Sequence, residues 1–156
     1  MSNVKPYRPN VAAIILSPEY PKKKRIMLAE RSDIDAVWQF PQGGIDRGES
    51  AKEALFRELE EEIGTDKVEV IAEYPEWIAY DYPKNVAKKM QPYAGQTQRY
   101  FLVRLKKSAK INLDTKHPEF SSYKFVKIKD LFHDITHFKK PVYKQVINYF
   151  KNEGYL

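Results

Sequence analysis

Residues 43–64 read GGIDRGESAKEALFRELEEEIG, and no other stretch restricts the possible folds of this chain as tightly. Gly43, Glu49, Arg57, Glu58, Glu61, Glu62 and Gly64 fall at the spacing G-x5-E-x7-R-E-U-x-E-E-x-G, with Leu59 as the bulky aliphatic U. A helix advances about 100° per residue, so Glu58, Glu61 and Glu62 project from one face. Like charges so placed destabilise an isolated helix by about 0.2–0.5 kcal/mol per pair. An ordinary solvated face would spread these acids and mix in lysines; concentrating them points to a compensating cation. Local signals mark the helix itself. Ser50 and Glu53 form a capping-box pair, Ala51, Leu55, Leu59 and Ile63 give an apolar stripe, and Gly64 supplies the stop. Gly43, Gly44 and Gly48 predict a tight loop whose backbone can approach phosphates closely.

Carboxylate oxygens are hard ligands suited to Mg2+, with Mn2+ or another divalent cation able to substitute. The chain has no cysteine, so a thiolate site and a disulfide framework are both excluded. Because Mg2+ commonly bridges protein carboxylates to substrate phosphates, metal-assisted cleavage of a phosphoanhydride is the expected chemistry.

The motif is the signature of the Nudix hydrolases, and the chain is similar to that family over nearly all of its length. The resemblance implies an α/β/α sandwich with a central mixed sheet, formed by a single domain over residues 1–156. It also implies a metal site at Glu58, Glu61 and Glu62, and a structural Arg57, grouped with the catalytic set, that holds the loop and Glu49. The residue after Gly64 is usually aliphatic in the family; Thr65 departs from this, which predicts a looser turn leaving the helix.

Strand-like segments agree with that architecture. They lie at 11–17, 25–30, 36–40, 68–74, 77–82, 98–105 and 122–128. A lysine-rich stretch with Pro83, Pro92 and Gly95 reads as a loop, a short helix is expected near 130–132, and a final helix from Pro141 turns Val142, Val146, Tyr149 and Phe150 to one side. A chain of 156 residues with 42% hydrophobic content can bury one sizeable core. No apolar run approaches the ~20 residues that span a bilayer, and the N-terminus lacks a secretory signal. A cytoplasmic monomer is expected. The net charge of +6 is uneven: residues 43–64 carry seven acids and three bases, or −4, which leaves +10 on the remainder. An acidic pit in a basic body suits a polyanion such as a nucleic acid end.

The flanks narrow the substrate. WQFPQGGID (38–46) resembles the version in bacterial RNA pyrophosphohydrolases and in plant-type diadenosine polyphosphate hydrolases, and YRPNVAAII (7–15), GQTQRYFLV (95–103) and PEF (118–120) resemble the RNA group. That resemblance implies removal of pyrophosphate or orthophosphate from the 5′-triphosphate or 5′-diphosphate end of RNA, with dinucleoside polyphosphates as the alternative substrate. A Nudix fold serving only as an RNA- or nucleotide-binding module is the alternative of another class, although none of the box carboxylates is missing. By the same resemblance Glu119 completes the metal set; Glu58 and Glu119 are both candidates for the general base, and Glu62 joins the catalytic group. Arg8, Arg31, Phe138 and Lys139 align with contacts to the RNA end, and Gln39, Gln42, Gly43 and Gly44 line the phosphate entrance. Trp38 and Phe40 are expected in the core. His117, His133 and His137 show no metal-ligand spacing and read as surface or substrate-loop histidines.

Overall fold

The structure is a computed structural model that describes residues 6–156. Its centre is β1 (Tyr7–Leu16), which pairs in parallel with β7 (Gly95–Leu105) from Tyr7↔Gly95 to Leu16↔Arg104. All other pairings are antiparallel. On the far side of β1 come β2 (Arg25–Arg31), then β3 (Trp38–Gln39), while β8 (Phe120–Lys127) also pairs with β2. The other edge carries β5 (Val68–Glu73) and β6 (Ile78–Asp81), both on β7. A short β4 (Gln42–Gly44) pairs with the first half of β1.

The sheet is mixed and covered on both faces, which explains why β1 reads as an unbroken apolar run rather than an alternation. Side chains of a strand point alternately up and down. Ala12, Ile14 and Leu16 therefore join Tyr100, Leu102, Tyr143, Val146, Ile147 and Phe150 on the side of α3 (Lys140–Asn152). Val11, Ala13 and Ile15 join Phe101, Val103, Leu55, Leu59 and Ile63 on the side of α1 (Ala51–Ile63). The expected α/β/α layering is what forms.

Four local expectations need correction. Gly43 and Gly44 are not loop: they lie on β4, at Val11↔Gly43 and Asn10↔Gly44, because β1 offers them a ladder. The lysine-rich stretch contains a six-residue helix, α2 (Lys84–Lys89), which starts at Pro83 and buries no residue, so it leaves no apolar periodicity in the sequence. The short helix expected near 130–132 is a 3-10 turn at Ile128–Asp130. Thr65 does not loosen the exit from α1: it is buried, and its Oγ1 accepts the Lys67 N–H at 3.1 Å.

Candidate functional site

The cap of α1 sets the geometry of the acidic face. Ser50 Oγ accepts the Glu53 N–H at 3.0 Å, Glu53 returns a carboxylate oxygen to the Ser50 N–H at 3.1 Å, and Gly64 closes the other end at φ 75°. Held this way, α1 faces β4 with Glu58 and Glu62. A Cβ on Gly43 would fall inside the van der Waals envelope of the Glu58 carboxylate. That glycine is required by close approach rather than by its backbone angles.

Arg57 organises the rim. Its guanidinium donates to Glu49 at 2.7 and 2.8 Å, to Glu58 at 2.9 Å, to Glu61 at 3.2 Å and to the Gly44 carbonyl at 2.8 Å. Those charge-assisted bonds hold the Glu49 carboxyl down at about 2, with the Asp46 N–H adding to the effect, and push the Arg57 guanidinium further up from an already high value. Burial acts the other way on the next two acids. It raises Glu58, and it raises Glu62 well above the usual carboxylate range, reinforced by the neighbouring charges of Glu58 and Glu119.

Glu58, Glu61, Glu62 and Glu119 all line one cleft of about 620 Å³. Among the described residues no three acid or imidazole groups are gathered as a finished cage. Arg57 draws Glu58 and Glu61 towards itself. The donor set still fits a hard divalent cation. Glu62 is 7% exposed, and its Oε2 has no hydrogen-bond partner among the described residues. The rest of the carboxylate is met by the Gln42 N–H and by Glu58, but a buried oxygen left without a partner is costly, and a cation is the natural relief. Mg2+ keeps several waters and needs only one or two protein carboxylates in direct contact.

Basic and aromatic groups line the cleft as well. Arg8, Arg31, Gln39, Gln42, Gly43, Gly44, Phe138 and Lys139 line the same cleft, so the sequence-predicted substrate residues come together. They differ in freedom. Arg31 is clamped by Asp33 through two bonds of 2.9 and 2.6 Å, and Phe138 is exposed with its ring 5.5 Å from Tyr80. Arg8 lies over Gly44, where a Cβ would come within 2.6 Å of its Nη2. Lys139 is 7% exposed and donates to Gln42 Oε1 at 2.6 Å. Burial and the charge of Arg31 lower its ammonium to about 7.

His137 is not a surface histidine. Its Nε2–H donates to the Trp38 carbonyl at 3.0 Å and its Nδ1 accepts the Lys139 N–H at 3.3 Å, so both nitrogens are used by a neutral ring. Burial and the nearby Lys139 charge hold its pKa near 4. Phe40 is fully buried as expected, whereas Trp38 is half-buried with the Lys124 ammonium 4.2 Å above its ring. Sequence reasoning missed Asn10, Tyr80, Tyr82 and Gln96, which also line the cleft. A signal was there: Gln96 and Gln98 alternate with Thr97 and Arg99 ahead of the apolar run Tyr100–Val103, and both are buried.

The NUDIX domain model matches residues 6–146, which includes every side chain of this site. The chain belongs to the NUDIX family. Within it, this Nudix chain is 70% identical over 151 residues to the RNA pyrophosphohydrolase of a Nitratiruptor species, covering 97% of each. It is 64% identical to that of Campylobacter jejuni subsp. doylei over the full length of both. Among solved structures, the E. coli dihydroneopterin triphosphate pyrophosphohydrolase superposes with a TM-score of 0.70, covering 92% of this chain and 99% of that one; at 20% identity the likeness shows the shared fold.

Proposed function

We propose that this chain is an RNA pyrophosphohydrolase, which removes pyrophosphate or orthophosphate from the 5′-triphosphate or 5′-diphosphate end of RNA and leaves a 5′-monophosphate. The observation that carries the reading is the cleft itself. It gathers the partly buried Glu58 and Glu62 with Arg8, Arg31, Phe138 and Lys139 in one lining. Full-length identity to proteins of that name supports the same substrate. Since all of these groups come from one chain, the reading takes it as a single-domain monomer that meets RNA 5′ ends in the cytoplasm.

Glu58, Glu61, Glu62 and Glu119 would hold Mg2+. When bound, such an ion polarises phosphoryl oxygens and acidifies a coordinated water. The chain's own residues do the rest. Lys139 and Arg8 offset the polyphosphate charge, Phe138 and the flat guanidinium of Arg31 supply surfaces on which a base can stack, and Glu58 or Glu119 accepts the proton of the attacking water. Arg57 keeps Glu58 in place by its 2.9 Å bond.

The test compares kcat/KM with Mg2+ on a short triphosphorylated RNA and on diadenosine tetraphosphate, with Glu58→Gln as control. Preference for RNA, abolished by Glu58→Gln, is expected. Preference for the dinucleotide would reassign the substrate, and binding without turnover of either would leave a nucleotide-binding module.

A further inference from the structure

A buried polar cluster lies directly beneath the cleft, and the chemistry above does not use all of it. Gln98, in the middle of β7, has no exposed surface. A lysine ammonium has only donors, so the Gln42 atom that meets Lys139 Nζ at 2.6 Å is the carbonyl oxygen. Gln98 Nε2 reaches that same oxygen at 3.1 Å and Asn10 Oδ1 at 2.8 Å. Both amide protons have acceptors, and Gln98 Oε1 takes the phenol proton of the fully buried Tyr100 at 2.7 Å. Register fixes the three backbones involved, through Asn10↔Gln98 and Ala12↔Gln42.

The chain of donors therefore runs one way, from Tyr100 to Gln98 to Gln42. Flipping the Gln98 amide would set its oxygen against the oxygens of Asn10 and Gln42, and unpaired polar groups at this depth are expensive. Gln42 is in this way kept with its oxygen towards Lys139. We propose that Gln98 is a positioning residue for substrate binding: its buried amide fixes the Gln42 side chain, which aims the Lys139 ammonium into the polyphosphate cleft. The proposal rests on the reading of the cleft as an RNA 5′-end site.

A residue that merely fills the core would, when changed, act independently of Lys139. The test is a double-mutant cycle on triphosphorylated RNA, reading kcat and KM separately for Gln98→Met and Tyr100→Phe, each with and without Lys139→Met. Gln98→Met should raise KM about tenfold and Tyr100→Phe about threefold, with kcat within about threefold of wild type, and both effects should vanish once Lys139 is gone. Additive effects, or a loss confined to kcat, would overturn the proposal. Should Gln98→Met fail to fold, Tyr100→Phe removes a single donor and decides alone. If wild type cleaves diadenosine tetraphosphate and not RNA, the substrate reading falls; the same cycle on the dinucleotide then decides the positioning role, additivity again refuting it.

Discussion

Replacing Gly43 by alanine probes a close contact in the part of the cleft proposed to be catalytic. Its backbone angles are not of the left-handed kind, so alanine can adopt them; the obstacle is the Glu58 carboxylate, which occupies the space of the new methyl group. An ordinary contact requires Glu58 to retreat by more than about 1 Å, and a displacement of that size at a reacting group costs on the order of 100-fold in rate, or about 2.7 kcal/mol of activation free energy. The retreat also breaks the 2.9 Å bond from Arg57, while Arg57 keeps Glu49 and the Gly44 carbonyl. Stability should therefore fall by only about 1 kcal/mol. Steady-state kcat on triphosphorylated RNA at saturating Mg2+, set beside thermal unfolding followed by circular dichroism, separates the two effects. Gly48→Ala is the matched control. At φ 81°, with nothing near its missing Cβ, it should cost about 1 kcal/mol of stability and leave kcat unchanged. A Gly43→Ala enzyme with kcat within twofold of wild type would refute the steric account, as would a loss of rate that merely tracks the unfolded fraction.

His137 predicts an acid sensitivity. Its folded pKa near 4 lies below the 6.5 of the unfolded ring, so the unfolded chain takes up the proton first. Stability is then whole above about pH 6.5 and drains as pH falls towards 4; for a half-buried ring the loss is about 2 kcal/mol, and chemical denaturation of His137→Gln should show that much less of it. Ala36 sits at φ 60°, held there by the bond from its N–H to Glu30 at 2.9 Å, so Ala36→Gly should raise stability by about 0.5 kcal/mol; a lower Tm would mean that the loop carries no strain. Arg31→Ala should raise KM for RNA more than for a simple nucleotide, and equal changes in the two would dismiss its contact with the base.

The acidic side of the cleft was legible because it is local. Cap, acidic face, apolar stripe and stop all fall within one helix and the loop before it, where spacing alone sets geometry. The binding half was legible only as a set of residue types. What brings Lys139 beside Gln42 is the antiparallel pairing of β4 with β1 and the docking of α3, contacts far apart in sequence that no short pattern encodes. The start of β1 was missed for a related reason. Arg8, Pro9 and Asn10 look like a strand boundary, yet they pair on through to Tyr7 because Gly95–Leu105 provides the ladder. The neutral state of His137 was out of reach as well, since it follows from burial and from the nearby Lys139 charge, both set by tertiary packing.

The join between Lys139 and α3 has a consequence for biosynthesis. The acidic helix leaves the ribosome early, whereas β7, Phe138 and Lys139 follow much later, and Lys139 directly precedes the last helix. A growing chain thus carries its acidic helix through about half of its synthesis before Phe138 and Lys139 are added. On the proposed reading of the cleft, its basic side is complete only once Phe138 and Lys139 are seated at the start of α3.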